Sequence, residues 1–225
     1  MTVDAGQRVV VFGVGDFARM VHFYFRHDSP YRVVAHTVTA DTPAAGEFLG
    51  VPVVPFERVT DEYPPTEVAV FVGVAYSRVN RSRREIFGRA RAMGYRMVRY
   101  VCSKATTWPD LAIGEGTFIF ENNVVQPYVE IGEDTALWSG NHIGHDSRVG
   151  SHVFIASHAV VSGNCRIGDG TFVGVNATIR DGVTIGAECV IGAGAIVLRD
   201  VPDGSVLKTT ATPVADVTSA ELKKI

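Results

Sequence analysis

Every sixth residue from Ile113 to Val197 is aliphatic: Ile113, Ile119, Val125, Ile131, Leu137, Ile143, Val149, Ile155, Val161, Ile167, Val173, Ile179, Ile185, Ile191 and Val197. The run has no insertion. Glycine often follows directly, as at Gly132, Gly144, Gly150, Gly168 and Gly186. Four residues after each aliphatic position the side chain is never bulky, from Thr117, Asn123 and Val129 through to Cys189, Ala195 and Val201. A period of six with short β-prone segments and turn residues predicts a parallel β-helix built from hexapeptides. Three hexads make one triangular coil, so residues eighteen apart stack. Asn123 and Asn141 then head a column continued by Ala159, Ala177 and Ala195, while Thr117, Thr135, Val153, Thr171 and Cys189 form another. Fifteen hexads give five coils, a prism roughly 20–25 Å tall at the usual strand spacing. Cys165 and Cys189 fall on inward, small-residue positions and read as packing atoms.

The first hundred residues follow a different pattern. Arg8 to Phe12 reads as a buried strand, followed by Gly13-Val14-Gly15-Asp16-Phe17-Ala18 and a helix to about Phe25. Further strands are expected at Tyr31 to Ala35, Val51 to Val54, Val68 to Val72 and Met97 to Val101, with a basic helical stretch from Ser77 to Met93. Strands alternating with helices predict a small α/β domain with a parallel sheet. The division is therefore an α/β domain over 1–103 and a β-helix with its tail over 104–225. Val217 to Ile225 reads as a short terminal helix.

Composition excludes some partners. The net charge is -3, so no global basic field points to nucleic acid or an anionic membrane. The N-terminus lacks the basic-then-apolar build of a signal peptide, and no apolar run approaches a membrane span. The three cysteines form no CxxC pair and no even-numbered framework, which fits a reducing cytoplasm.

Two places carry chemistry. The GxGxxA stretch from Gly13 to Ala18 ends a strand and opens a helix, where glycines let a phosphate approach and the helix N-terminus favours its charge. A dinucleotide site also needs an acid near the end of the second strand, and that region reads Ala35-His36-Thr37-Val38. A mononucleotide-type site and a tight structural turn both remain open. The second place is the segment NHIGHDSRVG. With Ile143 inward, His145 lies two residues on at an outward corner, Asp146 follows it, and Gly163 and Asn164 stack beneath the pair. An exposed histidine beside a carboxylate suits a general base, against the alternative of a solvated turn. Metal binding by His142, His145, His152 and His158 is the rival. No three of these histidines converge by stacking, so no metal is expected.

On these motifs the whole chain resembles the nucleotide-amino-sugar N-acetyltransferases, which include sialic-acid O-acetyltransferase-like proteins. The resemblance implies a left-handed hexapeptide β-helix, a homotrimer, acetyl-CoA as co-substrate and a nucleotide-linked amino sugar as acceptor. It matches His145-Asp146 to the family's catalytic histidine–acid pair. It matches Gly163, Asn164, Asn176, Ala193 and Gly194 to acetyl-CoA contacts. Gly13, Gly15, Asp16 and Phe17 would hold the nucleotide, with Gly73, Tyr76, Asn80 and Arg83 lining the same cleft. The family's C-terminal Gly-x-Pro-Ala stands here as Ala211-Thr212-Pro213-Val214. The function expected is acetyl transfer to the sugar amine by direct attack on the thioester. O-acetylation on the same scaffold, or a non-catalytic nucleotide-sensing trimer, are the alternatives.

Overall fold

The computed structural model describes residues 7–42 and 46–221. Strand β1 (Arg8–Phe12) leads into helix α1 (Asp16–Asp28), β2 (Arg32–Val38), β3 (Glu47–Phe48), β4 (Val51–Pro55), a one-turn helix α2 (Val59–Glu62), β5 (Ala69–Val72) and helix α3 (Arg81–Ala92). The sheet order is β3-β4-β2-β1-β5. All its pairs are parallel except the β3–β4 hairpin. Val9, Val10, Val11 and Phe12 are all buried, as an unalternating apolar run in a two-sided parallel sheet should be. The chain leaves β1 toward β2 on one side and returns on the other as β5. The crevice of such a sheet opens where the order reverses, at the carboxyl ends of β1 and β5. Gly13 and Gly73 follow those two ends.

The expected strand from Met97 to Val101 is divided between the domains. Met97 bridges Val70 and extends the α/β sheet. Strand β6 (Tyr100–Val101) instead pairs with Phe118–Ile119, so the β-helix takes its first rung a few residues before position 104. Helix α1 runs three residues past Phe25, and α3 starts only at Arg81. Before α3, Arg78, Val79 and Asn80 are all left-handed, which a helix cannot accommodate. Ser219–Glu221 forms a 3₁₀ turn, and the rest of the expected terminal helix, 222–225, lies outside the described residues.

From residue 112 onward the chain is a left-handed parallel β-helix whose rungs pair eighteen residues apart, except for the shorter last step from Val190–Ile191 to Val206–Leu207. Its first face carries the rungs from Ala112–Ile113 to Thr184–Ile185, its second from β6 and Phe118–Ile119 to Val206–Leu207, and its third from Val124–Val125 to Ile196–Val197. The aliphatic ladder forms one continuous core, with Ile143, Ile155, Val161 and Ile179 fully buried. The corners share a backbone rule. Gly116, Asn122, Tyr128, Asp134, Gly140, Asp146, His152, His158, Asn164, Gly170, Asn176, Gly182, Glu188 and Gly194 all have positive φ. Glycine, asparagine and aspartate tolerate that conformation best, which is why they recur there.

The small inward residues also bond coil to coil. Thr117, Thr135 and Thr171 each donate a hydroxyl to the carbonyl fifteen residues on, at 2.7–2.8 Å. Cys165 sends its thiol to Arg180 O at 3.2 Å in the same way. All three cysteines are free and buried, and burial raises the thiol pKa of Cys102 and Cys165.

The α/β domain covers the second face. Phe17 packs against Phe71, Phe118, Phe120, Trp138 and Phe154, joining α1 to three successive coils. Arg83 of α3 is buried against Asp134 at 3.2 Å, each 2% exposed. It also donates to the carbonyls of His152 and Val153, at 2.9 and 3.1 Å. His152 Nδ1 meets Asp134 Oδ2 at 2.8 Å. A charge so deep needs a partner charge and full hydrogen bonding, and Arg83 has both. No helix among the described residues is long and apolar enough to cross a membrane.

Candidate functional site

A cleft of about 600 Å³ opens between the domains. Gly13, Gly15, Asp16, Phe17, Gly73, Val74, Ala75 and Tyr76 line one wall; Trp138, Phe154, Ala156, Ser157 and Val175 line the other. The glycines have separate reasons. Gly13 has φ +109, and a Cβ there would lie 2.9 Å from Gly73 O. A Cβ on Gly73 would lie 2.8 Å from Ala18 Cα, so the third motif position packs helix against strand. Gly15 has open space around it and caps α1 without any side-chain bond, leaving the helix N-terminus facing the cleft.

The turn is braced from beneath. His36, at the end of β2, sets Nδ1 2.7 Å from Gly13 O and Nε2 2.9 Å from His22 Nδ1. Its Nδ1 donates to the carbonyl, so Nε2 accepts from His22. Burial pushes the His36 pKa down to about 4, which keeps the ring neutral. The residue standing where a dinucleotide site would have its ribose-binding acid is thus a structural prop. Asn80 and Arg83 do not line the cleft. Asn80 donates to Gly170 O and Thr171 O at 3.0 and 3.1 Å, and both residues are buried in the joint with the β-helix. Their polarity serves that joint. Trp138 and Ser157 were not foreseen; their outward register beneath the α/β domain becomes visible only once the domains are docked.

The second constellation is at the corner between the third and first faces. His145 and Asp146 follow the His142–Ile143 rung, and their side chains are each 52% exposed. Positive φ at Asp146 swings its carboxylate back, and Oδ2 meets His145 Nδ1 at 2.9 Å. An ionised carboxylate only accepts, so Nδ1 carries the proton and Nε2 presents a lone pair. The ring leans over the coil below. A Cβ on Gly163 would fall 2.7 Å from His145 Nε2, so the corner that glycine opens is filled by the imidazole. Asn164 N donates to His145 O at 2.8 Å, and Gln126 Oε1 accepts from His145 N at 2.9 Å. Gly163 N–H makes no hydrogen bond among the described residues.

The expected coenzyme residues separate into two groups. Gly163 and Asn164 lie on the His145 corner. Asn176, Ala193 and Gly194 lie on the corner between the second and third faces, where Ser157 and Val175 join the cleft wall. The whole third face lies between the groups. Its outward residues include Val124 and Val160, each 39% exposed, and Ile196 at 70%. Nor do the histidines gather: among the described residues no group of three His, Cys, Asp or Glu side chains is placed to hold a metal.

Comparison with known proteins agrees with this architecture. Residues 128–163 and 164–199 match the bacterial transferase hexapeptide (six repeats) family. The acetyltransferase domain of PglB from Neisseria gonorrhoeae superposes with a TM-score of 0.79 at 27% identity, covering 89% of this chain and 95% of that one. PerB from Caulobacter crescentus, solved with CoA and GDP-perosamine, gives 0.78 at 29% identity over 88% and 92%. The chain is similar in architecture to nucleotide-amino-sugar N-acetyltransferases. WeeI from Acinetobacter baumannii, at 20% identity and a TM-score of 0.67, shares the fold. No curated protein sequence matches the chain. The likeness spans both domains, so it covers the cleft as well as the repeat.

Proposed function

We propose that this acetyltransferase moves the acetyl group of acetyl-CoA onto the amine of a nucleotide-linked amino sugar, with His145 as general base. The observation that carries the reading is the His145–Asp146 pair leaning over Gly163, whose N–H is unused. PerB, which binds CoA and GDP-perosamine, supports the choice of substrates. His145 Nε2 accepts the proton that the amine loses, and Asp146 supports the imidazolium through Nδ1–H. Such a base contributes roughly 10²–10⁴-fold. Gly163 N–H donates to the thioester oxygen as negative charge develops there. No acyl-enzyme is needed, since the amine attacks the thioester directly.

The 1–103 half holds the nucleotide, with Gly13, Gly15, Asp16 and Phe17 at its phosphates and ribose and Gly73 and Tyr76 beside them. The 104–225 half carries the acyl chemistry. A second copy completes the site, because one chain cannot bring its cleft to its own His145 across the third face. The apolar residues of that face favour burial against another copy, and a homotrimer closes the arrangement. Asn176, Ala193 and Gly194 of one chain then meet Gly163 and Asn164 of the next along one coenzyme. We place the enzyme in the cytoplasm, whose reducing conditions fit three free cysteines. The test is a panel of UDP-, dTDP- and GDP-linked amino sugars with acetyl-CoA, read by release of free thiol. Turnover of at least one amino sugar supports the reading; thiol release only with hydroxyl sugars refutes it.

A further inference from the structure

The His145 corner has a second carboxylate beside Asp146. A Cβ on Gly163 would lie 2.7 Å from His145 Nε2 and 2.9 Å from Asp181 Oδ1, so both atoms border the same small space beside Gly163. Other aspartates at comparable positions are occupied. Asp169, Asp200 and Asp203 each accept a backbone N–H from the coil above at 2.8 Å. Asp181 sits one coil below Gly163, makes no hydrogen bond among the described residues, and brings Oδ1 to the same side of Gly163 as the nitrogen of the proposed base.

We propose that Asp181 binds the substrate's ammonium group and selects a cationic amine over a hydroxyl as the nucleophile, an inference that rests on the acetyl-transfer reading above. An ammonium has three N–H donors, enough to reach Asp181 Oδ1 and His145 Nε2 together. It first loses one proton to solvent by way of His145. The freed lone pair then forms the C–N bond to the thioester carbon while His145 takes a second proton from that nitrogen. The C–S bond breaks with its electron pair on sulfur, and the thiolate takes the proton back from His145. Asp181 holds its N–H throughout and exchanges no proton. A sugar hydroxyl carries no positive charge to offset the carboxylate, so it gains less from the same corner.

The experiment measures steady-state kinetics of wild type, Asp181→Asn, Asp181→Ala and Asp181→Glu with GDP-perosamine. UDP-linked 4-amino sugars and the corresponding 4-hydroxyl nucleotide sugars are run alongside. A charge-assisted hydrogen bond is worth about tenfold to a hundredfold in binding. Asp181→Asn and Asp181→Ala should raise the KM for the amino sugar that wild type uses by that factor, with a smaller effect on kcat. The KM for acetyl-CoA should hold, preference for amine over hydroxyl should narrow, and Asp181→Glu should recover part of the loss. Asp181 is exposed and unbonded, so these variants should keep the wild-type melting temperature. An unchanged amino-sugar KM overturns the proposal, as does an increase confined to acetyl-CoA, which would make Asp181 a coenzyme contact. If wild type acetylates no amino sugar at all, the acetyl-transfer reading falls with it.

Discussion

His36 is an ionisable residue whose work is done in its neutral form. Its folded pKa of about 4 lies well below the ordinary histidine value of about 6.5. Between those values the unfolded chain binds a proton that the folded chain refuses. Stability is therefore fully present above about pH 6.5 and is lost progressively as pH falls toward about 4. His22 is also lowered, by burial first and then by Arg26, and adds in the same direction. The urea midpoint of wild type should drop between about pH 7.5 and about pH 5. His36→Asn, less stable at neutral pH, should show a shallower drop. An equal drop in the variant would remove His36 as the cause. The same scale explains Asp146: a left-handed corner tolerates aspartate, and that conformation also returns its carboxylate to His145.

At the scale of elements, the first turn of α1 is the proposed seat of the nucleotide. Gly15 has no neighbour within 4 Å of a would-be Cβ, so a side chain there points into open space, which the proposal gives to a phosphate or ribose. Gly15→Val should raise the KM for the sugar nucleotide strongly and leave the acetyl-CoA KM nearly unchanged. Calorimetry with each ligand checks this, and weakened acetyl-CoA binding would contradict it. The β-helix was almost wholly legible, because a strict period of six admits few folds and stacking by eighteen places His145 over Gly163. Elements whose role depends on docking were not legible. Nothing in the local pattern distinguishes an Arg83 that lines a cleft from one buried on Asp134, and only the docked α3 decides it. Met97 and Tyr100 read as one strand because the change of sheet between them leaves no mark on polarity. Likewise the hexad pattern gives Asp181 and Asp169 equivalent corners, while their different hydrogen bonding emerges only in three dimensions.

For the whole molecule, separation of function across the third face has a measurable consequence. If the cleft of one chain works with His145 of the next, a His145→Ala chain still supplies a sound cleft and a Gly15→Val chain a sound histidine. Co-expressed and purified as mixed assemblies, the two should recover activity well above either alone. No recovery in assemblies shown to contain both chains would place the whole site within one chain. The truncation that leaves only 104–225 is a poorer probe. It removes the β6 rung, uncovers Phe118 and Phe154, and leaves Asp134 without Arg83.

The central claim, acetyl transfer to a nucleotide-linked amine by the His145 corner, is tested most directly by thiol release from acetyl-CoA across the amino-sugar panel. Wild type, His145→Ala and Asp146→Asn are compared. The account predicts turnover with an amino-sugar nucleotide, a loss of at least about 100-fold in His145→Ala with the fold and assembly intact, and a smaller loss in Asp146→Asn. A well-folded His145→Ala protein with near-normal turnover would contradict it.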